Sequence, residues 1–168
     1  MNLQSKKIND NAELSNQDRW ILSRLQYVKI QAQKNLSDYR LDLMSQTLYE
    51  FVWHDYCDWY LEFSKPLLEN SQTKDGCELT LIKVLNETLV LLHPIIPFIT
   101  EEIFEQSQKI QSKSNDKLIS QPFPEPQNEL FDDNAEAEIN WLKDFILGIR
   151  KIRGEMNIPP GKPLPCFI

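Results

Sequence analysis

The chain has 168 residues, a formal net charge of −7 and an apolar fraction of 41%. This length supports one domain with a substantial buried core. No secretory signal pattern and no apolar run long enough to cross a bilayer occurs, so we expect a soluble, cytoplasmic protein without a membrane partner. Its three cysteines are odd in number and lack metal-ligand spacing, which predicts free thiols in a reducing compartment.

The charge is unevenly distributed along the chain. Residues 1–40 carry seven basic and four acidic side chains, and residues 141–168 carry five basic and two acidic ones. Residues 41–70 carry one basic and six acidic side chains, and residues 101–140 carry three and ten. If the first and last helices lie together, their basic residues form a face that attracts RNA. The alternative is that these are solvated surfaces of uneven charge.

The first helix is predicted to begin at a capping box. Residues 1–13 are polar and aperiodic, so we expect a frayed or linker-like start. Ser15 with Asp18 three residues later is typical of a helix N-terminus. Lys29 and Lys34 fall outside the apolar stripe of this helix and should face solvent. The stripe consists of Ile21, Leu25, Val28 and Ala32.

A long second helix is predicted from Leu41 to Leu67, with a kink or an end near Pro66. Its wide apolar arc indicates contact with two neighbours. An aromatic row beside this arc is assigned to the core, with stacking on unpaired RNA bases as the alternative. The row consists of Tyr49, Trp53, Tyr56 and Tyr60. Residues 70–76 are predicted to be a loop.

Three further segments complete the predicted fold. A third helix is expected from Glu78 to Leu92, and a short fourth helix around Phe98, Ile103 and Phe104. Residues 109–133 form a long polar loop whose proline cluster favours extended backbone. The last helix should run from Ala135 to Asn157, because the Pro-Pro-Gly-Lys-Pro sequence then stops it. Its inward residues are predicted to be Ile139, Leu142, Ile146, Ile149, Ile152 and Met156.

The fold class is therefore predicted to be all-α, an antiparallel bundle of about five helices. One residue breaks the pattern of the last helix. Arg153 lies in its apolar stripe, where an unpaired charge is costly. We predict an ion pair with Asp55 or Glu62 of the second helix, and contact with RNA through a gap between helices is the alternative.

Four segments, in this order, resemble the anticodon-binding domain of class I aminoacyl-tRNA synthetases. The third segment is similar to the synthetases for valine, leucine and isoleucine, and the fourth resembles the valine enzyme in particular. The similarity extends from about residue 14 to residue 165. The segments are DRWILSRL (Asp18–Leu25), EFVWHDYCDWYLEFSKP (Glu50–Pro66), HPIIPFITEEIF (His93–Phe104) and IRKIRGEMNIPPGKPLP (Ile149–Pro165).

The resemblance implies a helical domain, residues 14–165, that binds the anticodon stem-loop of valine tRNA. It would position the tRNA for an upstream catalytic domain of an ATP-dependent valine-tRNA ligase, and the remaining domains of that enzyme would be further partners. Residues 166–168 would begin a downstream module. ATP and Mg²⁺ would belong to the catalytic domain. In this chain we expect no cofactor, metal site or catalytic residue, because no phosphate-binding loop, metal-ligand spacing or nucleophilic triad occurs.

Two alternatives stay open. One is the equivalent domain of a leucine or isoleucine tRNA ligase. The other is a helical protein-interaction scaffold with a basic partner. Six basic residues near the ends of the chain are the candidate RNA-binding residues, although each is individually an ordinary surface residue in the simpler interpretation. They are Arg19, Arg24, Lys29, Arg150, Lys151 and Lys162.

Overall fold

The computed structural model describes residues 12–111, 116–159 and 161–162. Within these ranges the chain is helical and contains no β-strand, which confirms the predicted all-α class. The predictions for residues 1–11 and for 166–168 lie outside the described residues. The elements are α1 (Asn16–Ser37), α2 (Leu41–Glu50), a π-helical segment (Phe51–Tyr60), α3 (Leu61–Glu69), α4 (Lys74–Leu92), α5 (Pro97–Gln111), two short 3₁₀ turns (Leu118–Ser120 and Asn128–Leu130) and α6 (Asp133–Glu155).

Helix α1 lies at the centre of the bundle and contacts α2, the π-helical segment, α4 and α6. It begins with the predicted capping box, in which the Asp18 amide donates to the Ser15 hydroxyl and the Ser15 amide donates to the Asp18 carboxylate. The predicted apolar stripe is buried along its whole length. The buried Tyr60 hydroxyl also donates to Asp18, at 2.6 Å, so the same carboxylate caps α1 and fixes it to the π-helical segment.

The predicted second helix is confirmed as a continuous rod formed by α2, the π-helical segment and α3. Its junction residues have helical dihedral angles, and it passes Pro66 before ending at Glu69. The assignment of its aromatic row to the core is correct for only half of the row. Tyr60 is buried and Tyr56 is half-buried, whereas Tyr49 and Trp53 are exposed.

Helix α4 begins four residues earlier than predicted, at Lys74 rather than Glu78. The reason is Gly76, which the sequence pattern places in a loop but which lies in the first turn of the helix. A Cβ atom at Gly76 would lie 2.4 Å from the carbonyl oxygen of Glu13, so the glycine allows the backbone that precedes α1 to cross α4. Beyond α4, His93 Nδ1 lies 2.9 Å from the Thr100 hydroxyl and connects the end of α4 to α5.

The predicted polar loop at 109–133 is shorter in the structure. Residues 109–111 belong to α5, residues 112–115 lie outside the described residues, and α6 begins at Asp133. Between them, Leu118 is buried and Phe123 packs against the main core. Residues 116–132 therefore lie on the bundle and return the chain from α5 to α1 and α6.

Helix α6 runs antiparallel to α1, and only its first half is well covered. Ile139 is buried and Leu142 is half-buried, as predicted, but Ile152 and Met156 are exposed, so that part of the prediction is wrong. The physical reason is the length of α1. Asn16, the first residue of α1, donates a hydrogen bond to Glu138 near the start of α6, and the later turns of α6 extend past the beginning of α1.

None of the described helices is both long enough and apolar enough to cross a membrane.

Candidate nucleic-acid interface

Asp55, in the π-helical segment, connects three elements of the bundle. Its side chain is 13% exposed, and its two carboxylate oxygens have different partners. One accepts a hydrogen bond from Arg24 Nε of α1 at 3.1 Å, and the other accepts from Lys143 Nζ of α6 at 3.2 Å. Neither cation is left without a counter-charge in this partly buried position. Asp55 therefore holds α1, the π-helical segment and α6 together.

The predicted ion pair of Arg153 with Asp55 or Glu62 is wrong. Glu62 accepts from Lys65 at 2.6 Å, within its own helix. Arg153 is ten residues beyond Lys143, or about 15 Å along the axis of α6, which places it past the contact with Asp55. Its guanidinium instead donates to the carbonyl oxygens of Pro159 at 3.3 Å and of Lys162 at 3.1 Å. Arg153 thus holds the turn that follows α6.

A row of cations lies over tryptophan rings along α6. Lys143 Nζ is 4.9 Å from the ring centroid of Trp20 and 5.5 Å from that of Trp59. Two turns later, the guanidinium carbon of Arg150 lies 5.5 Å from the same Trp59 ring. Cations at this distance are attracted to the negative face of an aromatic ring. Trp59 therefore links the Asp55 cluster to the basic second half of α6.

The second half of α6 presents exposed positive charge. Arg150 and Lys151 are exposed, and among the described residues no carboxylate forms a salt bridge with either of them. Lys162 is exposed in the following turn. Arg150, Lys151 and Lys162 therefore lie at one end of the molecule. Arg24 lies nearer the centre, where it shares Asp55 with Lys143.

The remaining two candidates have different environments. Arg19 is half-exposed, lies 3.6 Å from Asp132 and donates a hydrogen bond to Asn16. The expectation that Lys29 faces solvent is wrong, because its side chain is only 1% exposed. Lys29 Nζ lies 2.6 Å from the Glu87 carboxylate of α4. The stripe pattern missed this because α1 is central, so α4 covers a second face of the helix.

Lys143 and Trp59 contact the Asp55 cluster but were not among the predicted site residues. Lys143 lies between Leu142 and Asp144 in the sequence of α6 and gives no periodic signal of its own. The ion pair of Lys143 with Asp55 becomes visible only in the structure, where the two residues lie opposite each other. The charge of Asp55 in the middle of the second helix indicated that this residue needs a partner. Which cation is the partner depends on how far α6 extends along α1.

An open groove separates α1 from the second helix and has a volume of about 390 Å³. Arg24 and Tyr27 line it on the α1 side, and Glu50 and His54 line it on the other. His54 Nδ1 lies 3.5 Å from the exposed Asp58 carboxylate. The groove thus has hydrogen-bond donors and acceptors on both walls, and Arg24 shares its lining with the carboxylates of Glu50 and Asp55.

Tyr49 and Trp53 are each next to a groove residue in sequence, Glu50 and His54 respectively, and both are exposed. Their ring centroids are 6.3 Å apart, and their planes are inclined by only 3°. Exposed parallel rings offer faces on which unpaired bases stack, because every base has a π-face. The alternative interpretation of the aromatic row, contact with RNA, is therefore geometrically possible for these two residues.

Neither a metal-binding group nor a reactive thiol is found among the described residues. No group of three or more His, Cys, Asp or Glu side chains within these ranges is placed to hold a metal ion. Burial raises the pKa of the Cys57 thiol, and burial together with the charge of Asp18 raises the pKa of Cys77 to about 12. Both thiols stay protonated at neutral pH, which makes them poor nucleophiles.

Comparison with known proteins identifies the family of this chain. Residues 18–168 match the family model described as the anticodon-binding domain of tRNA ligase. The valine–tRNA ligases of Legionella pneumophila strains Lens and Paris are each 46% identical to this chain over 155 residues, covering 90% of the chain and 17% of the relative. The chain thus spans 17% of the length of the curated relatives it matches. The chain belongs to the family of anticodon-binding domains of tRNA ligases.

Proposed function

We propose that this chain binds the anticodon stem-loop of valine tRNA as one domain of a valine–tRNA ligase. The observation that carries the proposal is the pair of exposed cations, Arg150 and Lys151, in a chain whose residues 18–168 match anticodon-binding domains. Phosphate contacts require such cations. The valine–tRNA ligases among the relatives support valine over the leucine and isoleucine alternatives.

Different residues take different parts in this binding. Arg150, Lys151 and Lys162 contact phosphates, which position the RNA without reading its sequence. Arg24 faces the groove, and the rings of Tyr49 and Trp53 stack on bases that leave the anticodon loop. Arg19 adds positive charge at the edge. We do not assign Lys29 to RNA binding, because burial against Glu87 removes it from solvent.

The domain contributes position and discrimination to the ligase reaction. Binding the tRNA at its anticodon orients the distant acceptor end toward a catalytic domain elsewhere in the enzyme. ATP, Mg²⁺ and valine bind to that catalytic domain.

A charge-reversal experiment on the full-length ligase tests the phosphate contacts. Arg150→Glu together with Lys151→Glu should weaken binding of a valine tRNA anticodon stem-loop and reduce the slope of log affinity against log salt by about two. The matched control is Lys65→Glu with Lys109→Glu, an equal change of charge at exposed lysines that already pair with Glu62 and Glu105. Fluorescence anisotropy at several salt concentrations measures both.

The same variants separate binding from folding. Loss of the Arg150 contact with Trp59 should cost about 0.5–1 kcal/mol of stability and so lower the thermal midpoint of the ligase only slightly. Affinity equal to that of the control variant would refute the phosphate contacts. A much larger fall in midpoint would show that these side chains are structural. Isoleucine and leucine stem-loops, titrated in parallel, test the choice of valine.

A second experiment tests base stacking. Trp53→Ala should weaken stem-loop binding by about 1–3 kcal/mol, the usual contribution of one aromatic ring stacked on a base. Trp141→Ala is the control, because Trp141 is also exposed and stacks on Phe145 with centroids 5.6 Å apart and planes inclined by 7°, but it lies on α6 away from the groove. Equal losses for the two variants would contradict a role for Trp53.

A further inference from the structure

The corner between α4 and α5 exposes a group of large apolar side chains. Phe98, in the first turn of α5, is 91% exposed, although it is one of the largest apolar residues in the chain. Ile96 and Ile99 on either side of it are also exposed, and Ile103 follows one turn later. Single exposed apolar residues are ordinary, but four of them within residues 96–103 expose more apolar surface than is usual, and large exposed apolar surfaces mark protein contacts. We call these four residues the α5 corner.

An acidic groove lies beside the α5 corner. It has a volume of about 550 Å³ and separates the first half of α5 from residues 116–119. Phe98 and Ile119, both exposed, lie at its walls. Its charged lining residues are Glu101, Glu102, Glu105, Asp116 and Lys117, so negative charge predominates.

The carboxylates of this groove differ in their environment. Glu101 accepts a hydrogen bond from the Leu118 amide at 3.1 Å, which holds it at the wall of the groove. Glu105 lies 2.8 Å from Lys109, and this contact lowers the pKa of Glu105. Glu102 accepts only from the neutral amide of Gln106 among its described contacts, at 3.0 Å. The groove therefore keeps negative charge next to an apolar patch.

The α5 corner lies at the opposite end of the bundle from the basic end of α6. Helices α1 and α4 run in the same direction, because Gly76 at the start of α4 lies against Glu13 and Glu87 further along α4 pairs with Lys29. The α5 corner follows the end of α4, whereas the last turns of α6 extend past the beginning of α1. A partner that binds at the α5 corner leaves the proposed RNA-binding residues accessible.

We propose that the α5 corner is the docking surface for another domain of the same ligase polypeptide, one that presents basic side chains around an apolar pocket for Phe98. This inference rests on the proposed function. The acidic lining repels RNA and anionic membranes and attracts Lys and Arg. The chain spans 17% of its relatives' length, so other domains of such an enzyme are tethered nearby at high effective concentration.

A second copy of this chain is a less suitable occupant. Its exposed cations are at the end of α6, where Arg150 and Lys151 are proposed to bind RNA. Docking them against the α5 corner of another molecule would occupy the tRNA site. An intramolecular partner has no such conflict, and it also explains a net acidic charge in an RNA-binding domain, because the acidic side is turned toward protein.

Hydroxyl-radical footprinting with mass spectrometry tests the proposal on wild-type protein. Tyr39 is the internal control, because it is 92% exposed in the turn after α1 and lies far from the acidic groove in sequence. Each oxidation rate is divided by the rate for the same residue in urea-unfolded protein. In the full-length ligase we expect the ratio for Phe98 to be about fivefold or more below that for Tyr39, because a docked aromatic anchor loses most of its contact with solvent.

Variants identify the occupant. Phe98→Asp should lower the thermal midpoint of the full-length ligase and leave stem-loop affinity unchanged, whereas Tyr39→Asp should change neither. Equal oxidation ratios for Phe98 and Tyr39 in the ligase would overturn the proposal. Protection of Phe98 that disappears on dilution would also overturn it, since it would indicate a second copy. Stem-loop binding is read independently, so failure of the RNA-binding function is distinguished from failure of docking.

Discussion

The substitution Asp55→Asn tests whether this carboxylate holds the bundle together. It keeps the shape of the side chain but removes the charge that Arg24 and Lys143 share. Removing one member of a fully buried pair costs about 3–5 kcal/mol, because the other charge stays buried without compensation. The three side chains here are 13%, 38% and 19% exposed, so solvent screening reduces the cost to about 2–3 kcal/mol.

The matched control is Asp58→Asn, three residues along the same segment. Asp58 is 52% exposed and pairs only with exposed His54 among its described contacts. Its loss should cost less than about 0.5 kcal/mol. Urea denaturation followed by circular dichroism measures both, and for a chain of this size the expected fall in thermal midpoint for Asp55→Asn is about 4–12 °C.

A second experiment with salt sharpens this test. Raising the salt concentration should change the stability of Asp55→Asn less than that of wild type, because salt screens an interaction that the variant no longer has. A free energy of unfolding for Asp55→Asn within about 0.5 kcal/mol of that for Asp58→Asn would refute the assignment of Asp55 as the connecting residue.

Three further predictions concern the core. Gly76→Ala should destabilise the protein by about 1–3 kcal/mol in urea titrations, because the new Cβ meets the Glu13 carbonyl; unchanged stability would refute that close approach. Tyr60→Phe should cost about 1–3 kcal/mol by the same measurement, since buried Asp18 loses a hydrogen bond, and a neutral result would contradict it. Cys77 has its pKa raised from 9.0 to about 12, so its neutral thiol contributes stability below pH 9 that is lost as pH rises toward 12. Between pH 8 and 12 the thermal midpoint should therefore fall less steeply with pH for Cys77→Ala than for wild type. An equal dependence on pH for the two proteins would exclude this contribution.

The elements of the fold were largely predictable because their signals are local. The Ser15 and Asp18 capping box fixes the start of α1 by hydrogen bonds within four residues. The end of α6 follows from the prolines after it, and Asn157 there adopts the left-handed conformation, with φ of 52°. Gly76 was misread because glycine marks both a turn and a close approach of two backbones, and only the position of Glu13 distinguishes these.

The candidate interface was predictable in composition but not in arrangement. The basic residues of α6 lie at its exposed end, as the charge distribution indicates. Lys29 and Lys34 both lie outside the apolar stripe of α1, yet Lys34 is exposed and Lys29 is buried against α4. The hydrophobic period of a helix identifies one buried face. It does not show that a central helix has a second neighbour whose carboxylate makes burial of a lysine possible.

By itself, then, the sequence determined the helices, their order and the family, because caps, breakers and periodicity depend on neighbouring residues. The tertiary structure decided which charges meet. Asp55 binds Lys143 rather than Arg153 because Lys143 is the residue of α6 that lies opposite Asp55. Tyr49 and Trp53 are exposed because none of the described helices covers them. Ion pairs and exposed surfaces depend on how far each helix extends past its neighbour. That distance is set by packing of the whole chain, which no local pattern encodes.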